Sequence, residues 1–151
     1  MSRLRDEPWR LNPANYPQVF DLRATFGDMD SLGHLNNVAL ARMLEEGRVS
    51  LTIALVGTRY LVHPGTEFKL FLANTAIDYV SQGEYPGNVT VASAITNMGR
   101  SSLHQAGALF QNGQCIALAQ SVLVHIVSGK PAAMSDALRL RIEQYQARLS
   151  A

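Results

Sequence analysis

The chain has 151 residues, 47% of them hydrophobic, and thirteen basic against twelve acidic side chains give it a formal net charge of +1. That is enough for one well-buried core, so a single domain over 1–151 is expected, and the balanced charge leaves no basic stripe for nucleic acid and no polybasic patch for a membrane. The opening "MSRLRDEPWRLNP" is charged and has no apolar run, so neither a signal peptide nor a transmembrane span is read there and a cytoplasmic location is expected.

Residues 1–17 read as an N-terminal extension. From 18 to 27 the chain alternates, Phe20, Leu22, Ala24 and Phe26 against Val19, Asp21, Arg23 and Thr25, which predicts a strand with one buried face. At Asn37 the period changes. Leu40, Leu44, Gly47, Leu51 and Leu55 recur every three or four residues, predicting a helix of about eighteen residues to Leu55. Gly47 in its middle costs about 1 kcal/mol relative to alanine, which predicts a close approach of a neighbouring backbone. Arg42 and Glu46, four residues apart, are expected to form a solvated pair.

After "VHPGTEF", read as a loop, the chain is strand-like to residue 127. Strands are expected over Phe71 to Val80, around Val89, Val91 and Ile95, over Leu103 to Gln111, and through Ile116, Leu118, Val122, Val124 and Ile126. "SQGEYPG" and "NMGRSS" separate the first three. Asn112-Gly113 is a strong hairpin signal, because both residues tolerate the positive φ of a type I′ turn. "SGKPAAMS" closes the last strand, and Ser135 can cap a final helix within 133–151 whose stripe is Leu138, Ile142, Tyr145 and Leu149. One strand, one long helix, four antiparallel strands and a terminal helix make an α+β fold. Such a sheet covers the helix on one side only, so its remaining apolar surface and edges are expected to be covered by a second copy.

Several chemistries lose support directly. No G-x-S-x-G, G-x-G-x-x-G or H-E-x-x-H occurs, and "SGKPA" lacks what a phosphate-binding loop needs. "DMDSLG" begins like a calcium loop, but Leu32 and Ala39 stand where oxygen ligands belong. Cys115 is the only cysteine, which rules out an internal disulfide and a multi-cysteine metal site; it reads as a small thiol in a strand. His63 reads as loop, His125 as strand surface and His104 as a strand residue, none with a role.

The remaining concentration of polarity is "FGDMDSLGHLNNVALARMLEEGRV", Phe26 to Val49, at the mouth of the long helix. A helix start offers backbone N–H groups with no intrahelical acceptor, a preorganised site for an oxygen that develops negative charge. Asn36 and Asn37 stand where capping or first-turn residues belong, and together with Asp28 they can equally serve only to cap and turn. A carboxylate a few residues before such a mouth can hold an acyl carbonyl between itself and those donors, an arrangement suited to acyl hydrolysis. Gly33 would allow close approach of a ligand, and His34 is either a ligand contact or part of the turn.

"FGDMDSLGHLNN" with "ARMLEEGRV", together with "IDYVSQGEYPGNVTV", "NMGRSS" and "QNGQCIALAQSVLVHI", resembles the hotdog-fold acyl-CoA thioesterases of the 4-hydroxybenzoyl-CoA thioesterase-like group. The resemblance covers roughly residues 18 to 132. It implies an antiparallel sheet wrapped around a central helix, homodimers or homotetramers with sites between subunits, and hydrolysis of acyl thioesters with no metal and no cofactor, coenzyme A entering as part of the substrate. By position it places the catalytic carboxylate on Asp30 and the carbonyl-polarising N–H on Asn37. Gly33, His34 and Asn36 fall beside the substrate, and Ser101 and Ser102 would approach from the partner subunit. Leu40 departs from the aromatic residue common after the paired asparagines. Two other readings share the fold: a non-catalytic acyl-CoA-binding module, and a thioesterase acting on carrier-protein-bound acyl groups. Hotdog dehydratase or hydratase chemistry ranks last, since it would want a different His and carboxylate arrangement.

Overall fold

The structure is a computed structural model that describes residues 3–57 and 68–149. The expected loop over 62–68 lies outside them except for Phe68, as does His63. A 20-residue helix, α1 (Asn37–Val56), lies across a curled antiparallel sheet. The strands are β1 (Gln18–Arg23), β2 (Phe68–Tyr79), β3 (Asn88–Met98), β4 (Ser102–Gln111) and β5 (Gln114–Val127), in the order β1-β3-β4-β5-β2. A two-residue strand, β6 (Lys130–Pro131), pairs with β5, and a short helix, α2 (Asp136–Glu143), follows. This is the expected α+β hotdog architecture. Among the described residues no helix is long and apolar enough to cross a membrane.

The apolar stripe of α1 meets the concave face of the sheet. Leu40, Leu44, Gly47, Leu51 and Leu55 are all buried. Around the first half of α1 the core holds Met43, Val89, Val91, Leu109 and Ile116. Around its second half it holds Ile95, Leu103, Leu123, Leu138 and Ile142. A close approach does occur at Gly47, but to side chains instead of a neighbouring backbone: a Cβ there would stand 2.7 Å from Val91 Cγ1 and 2.8 Å from Ser93 Oγ.

Three readings change. The first strand stops at Arg23, because Thr25 and Asp28 close a capped 3-10 turn over Phe26–Asp28, and Phe26 ends 74% exposed instead of facing the core. The terminal helix stops at Glu143; Leu149 lies beyond it and is 68% exposed. Residues 145–147 instead run beside β3 where β1 has ended, with Ile95 N donating to Tyr145 O at 2.7 Å and Ala147 N donating to Ile95 O at 2.8 Å. Third, the convex face of the sheet is covered partly from within the chain. Tyr16, Leu4 and Trp9 of the N-terminal segment pack on Ala92, Ala94, Ala106, Ala108, Phe110 and Leu118. Arg10 Nη2 also donates to Gln120 Oε1 at 2.6 Å. The small alanines leave a flat surface on which a segment of short 3-10 turns can rest.

The turn chemistry follows the sequence. Asn112 and Gly113 have φ of 51° and 77°, as a type I′ turn requires, and Ser135 Oγ accepts from Leu138 N at 3.2 Å at the start of α2.

Candidate active site

The site is built on a small hairpin that precedes α1. Asn36 N donates to Asp28 O at 2.8 Å, Met29 pairs with Leu35, and Asp30 N donates to His34 O at 2.8 Å. Gly33 N then donates to Asp30 O at 3.2 Å with Gly33 at φ 80°, a left-handed conformation that glycine adopts without steric cost. Asp30 therefore stands where the hairpin enters its turn. Its Oδ1 accepts from Leu32 N at 2.8 Å and from His34 N at 3.1 Å. Its Oδ2 has no partner among the described residues, so one oxygen is held by the turn and the other is presented outward.

The hairpin delivers the chain into the helix. Asn36 is the N-cap, its Oδ1 accepting from Ala39 N at 2.7 Å, while Leu40 N donates to Asn36 O at 3.1 Å. Those two bonds leave the N–H groups of Asn37 and Val38 as the open donors of the first turn. The helix dipole adds partial positive charge at the same point.

A cleft of about 320 Å³ brings the parts together: Asp30, His34, Asn37, Leu40, Tyr79 and Ser81 all line it. Tyr79, from the end of β2, donates its hydroxyl to Asn37 O at 3.3 Å. Gly33 and Asn36 shape the turn and the cap without lining the cleft. Ser101 and Ser102 lie elsewhere in the same chain. Ser101 O accepts from His125 N at 2.8 Å, and the adjacent Arg100 O accepts from Met134 N at 3.1 Å. They thus sit by the core around the far half of α1, a helix about 30 Å long at 1.5 Å per residue.

The model of the thioesterase-like superfamily matches residues 24–142. The chain belongs to that superfamily. Among solved structures, a thioesterase from Thermus thermophilus, complexed with coenzyme A and Zn, is 27% identical, with 87% of this chain and 96% of that one covered and a TM-score of 0.76. A predicted thioesterase from Bacillus stearothermophilus is 25% identical over 87% and 98% of the two chains, also with a TM-score of 0.76. A 1,4-dihydroxy-2-naphthoyl-CoA thioesterase from Synechocystis, 19% identical over 82% and 93%, has the same fold with a TM-score of 0.71. No curated protein matches the chain. The molecule is a thioester hydrolase of the hotdog fold.

Several residues that support the site in this thioesterase were not evident from the sequence. Arg42 does not pair with Glu46; its Nη2 reaches both carboxylate oxygens of Asp28, at 3.2 and 3.4 Å. Asp28 is 7% exposed, and its Oδ2 also accepts from Thr25 N at 2.8 Å. Burial alone would raise the Asp28 carboxyl, but the Thr25 hydrogen bonds and the Arg42 guanidinium outweigh it and hold the group below its ordinary value. On the other side of the hairpin Leu35 N donates to Gly83 O at 2.9 Å. The neighbouring Glu84 is fixed to β4 by Gln111, whose Oε1 accepts from Glu84 N at 2.7 Å and whose Nε2 donates to Glu84 O at 2.9 Å. His125, read as strand surface, is 5% exposed, with Nδ1 2.8 Å from Ala132 O, because the β6 turn folds back over it. Cys115 is half-buried and its thiol is pushed up to about 11, chiefly by burial.

Proposed function

We propose that the protein is an acyl-CoA thioesterase in which Asp30 acts as general base or nucleophile and the N–H of Asn37 polarises the thioester carbonyl. The observation that carries this reading is that Asp30, with one carboxylate oxygen unpartnered, and the open first turn of α1 border the same cleft. Family membership and the coenzyme A bound to the Thermus relative support the substrate class.

In the base route Asp30 takes a proton from water as the hydroxide oxygen adds to the carbonyl carbon. The oxygen that gains charge faces the Asn37 N–H, and collapse of the tetrahedral species breaks the C–S bond. In the nucleophile route Asp30 Oδ2 displaces the thiolate itself, giving a mixed anhydride that water then opens. The departing thiolate resembles a cysteine thiol, pKa about 8.5, and leaves without a strong acid. A positioned base contributes roughly 10²- to 10⁴-fold and one oxyanion donor roughly 10²- to 10³-fold.

The same reading includes a second copy of the chain. Among the described residues β2 pairs only with β5, leaving its other edge unpaired, and Phe71 on it is 60% exposed. Such an edge favours pairing between copies. Ser101 and Ser102, remote from the cleft of their own chain, would then serve the cleft of a partner in a homodimer or homotetramer. The test is a thiol-release assay over a panel of acyl-CoAs on the wild type and Asp30→Asn together. Release by the wild type and its loss in the variant are expected; a folded Asp30→Asn protein that releases thiol as fast as wild type would overturn the assignment.

A further inference from the structure

The hairpin that carries Asp30 buries little of itself. Phe26 and Leu32 are 74% and 77% exposed, and between Ala24 and Leu35 only Asp28 is buried. An acidic side chain is therefore the buried centre of an otherwise exposed loop. It is also the residue at which the loop is tied to α1: Arg42 Nη2 reaches both of its carboxylate oxygens, while its backbone carbonyl accepts from Asn36 N at 2.8 Å. Asn36 in turn caps the helix. Arg42 is five residues beyond Asn37 on the same helix, so the pair closes a ring of contacts that runs from the helix, through Asp28, back to the helix start.

We propose that Arg42 and Asp28 are positioning residues that fix the catalytic carboxylate of Asp30 against the first turn of α1. This rests on the thioesterase reading above. Two features favour positioning over mere support of the fold. The Arg42 side chain is 48% exposed although that of Asp28 is only 10% exposed, so the guanidinium stays largely hydrated and the pair contributes less to stability than a fully buried one would. Asp28 is two residues from Asp30 on one strand of the hairpin, so a shift of Asp28 is transmitted to Asp30, and a misplacement of a catalytic group by about 1 Å has large effects on rate.

Three variants, Arg42→Met, Arg42→Lys and Asp28→Asn, are tested by thiol release and by amide hydrogen exchange. Arg42→Met is expected to lower kcat about 10-fold with KM within about twofold of wild type and with only a small drop in melting temperature. Arg42→Lys should recover most of that loss, because a single nitrogen of Arg42 makes both contacts. Because Asp28 also accepts from Thr25 N, Arg42→Met and Asp28→Asn combined should be no worse than the more impaired of the two single variants, as for residues that share one contact. An unchanged kcat in Arg42→Met, an effect on KM alone, or equal losses in the Met and Lys variants would overturn the proposal. Exchange at the Asn36 amide keeps it separable from the activity assignment. It should quicken at least about 10-fold in Arg42→Met whether or not the wild type releases thiol, and unchanged exchange there would sink the clamp. A wild type that hydrolyses no acyl-CoA would sink the thioesterase reading instead.

Discussion

The hydroxyl of Tyr79 donates to the carbonyl oxygen of Asn37 at 3.3 Å, so the last residue of the sheet's edge strand meets the first residue of the central helix. The cleft lies between these two ends. It is therefore bounded by a helix start on one side and, on the other, by a strand whose second edge is unpaired among the described residues. The geometry around this contact and the packing behind it lead to four measurable outcomes.

Asp30→Asn should lose at least about 10²-fold in kcat, since the amide can neither take a proton from water nor attack a carbonyl. Asp28→Asn should cost far less, because Asp28 is turned into the loop and bonded to Thr25 and Arg42. Steady-state thiol release on both variants decides it; equal losses would remove the ranking of the two aspartates.

Gly33→Ala forces a side chain onto a backbone with φ of 80°. No neighbouring atom blocks the added Cβ, so the penalty is conformational, about 1–2 kcal/mol. The turn that holds Asp30 Oδ1 should loosen. A lower melting temperature with reduced kcat is expected, and Gly33→Asn should be milder, since asparagine tolerates the left-handed region. Alanine and asparagine variants of equal stability would contradict this.

Gly47→Ala sets two effects against each other. Alanine gains about 1 kcal/mol of helix propensity, while its Cβ would sit 2.7 Å from Val91 and 2.8 Å from Ser93. Overpacking of that kind costs about 1–3 kcal/mol. Net destabilisation should appear as a lower urea midpoint at unchanged slope. A more stable variant would mean that Val91 and Ser93 yield easily.

Cys115, with its thiol pushed up to about 11, should be almost wholly protonated at neutral pH, about one part in 10⁴ ionised. Alkylation of the native protein at pH 7 should therefore be much slower than that of a free thiol and approach it only on unfolding. The folded value lies above the ordinary 9.0, so the stability tied to the neutral thiol is complete below pH 9 and is lost as pH rises toward 11. Denaturation midpoints measured across that range test the sign.

Much of the fold was legible because periodicity reports burial. The stripe from Leu40 to Leu55, the Asn112-Gly113 turn and the Ser135 cap depend on residues close in sequence, and all three stand as expected. The 3-10 turn at Phe26 escaped the period-two pattern because Thr25 and Asp28 bond locally and stop the strand before its last apolar residue. Arg42 was misassigned because helical spacing names only neighbours on the helix, whereas its partner Asp28 comes from a loop fourteen residues earlier. In the candidate site, Asp30, His34 and Asn37 come together in one cleft. The long-range supports, Tyr79, Gly83 and Gln111, leave no local signal. Their roles arise from how the sheet curls, which no short window contains.

The row of alanines on the convex side of the sheet, with Tyr16 and Trp9 packed against it, separates the outer covering of the fold from the side that carries α1. The concave side holds the helix whose first turn borders the cleft, whereas the convex side is covered among the described residues chiefly by the N-terminal segment and the residues after α2. Substitutions that retune that outer covering can alter how long the fold survives without touching the hairpin of Asp30. One face of the sheet can therefore be altered while the packing that positions α1 on the other is left intact.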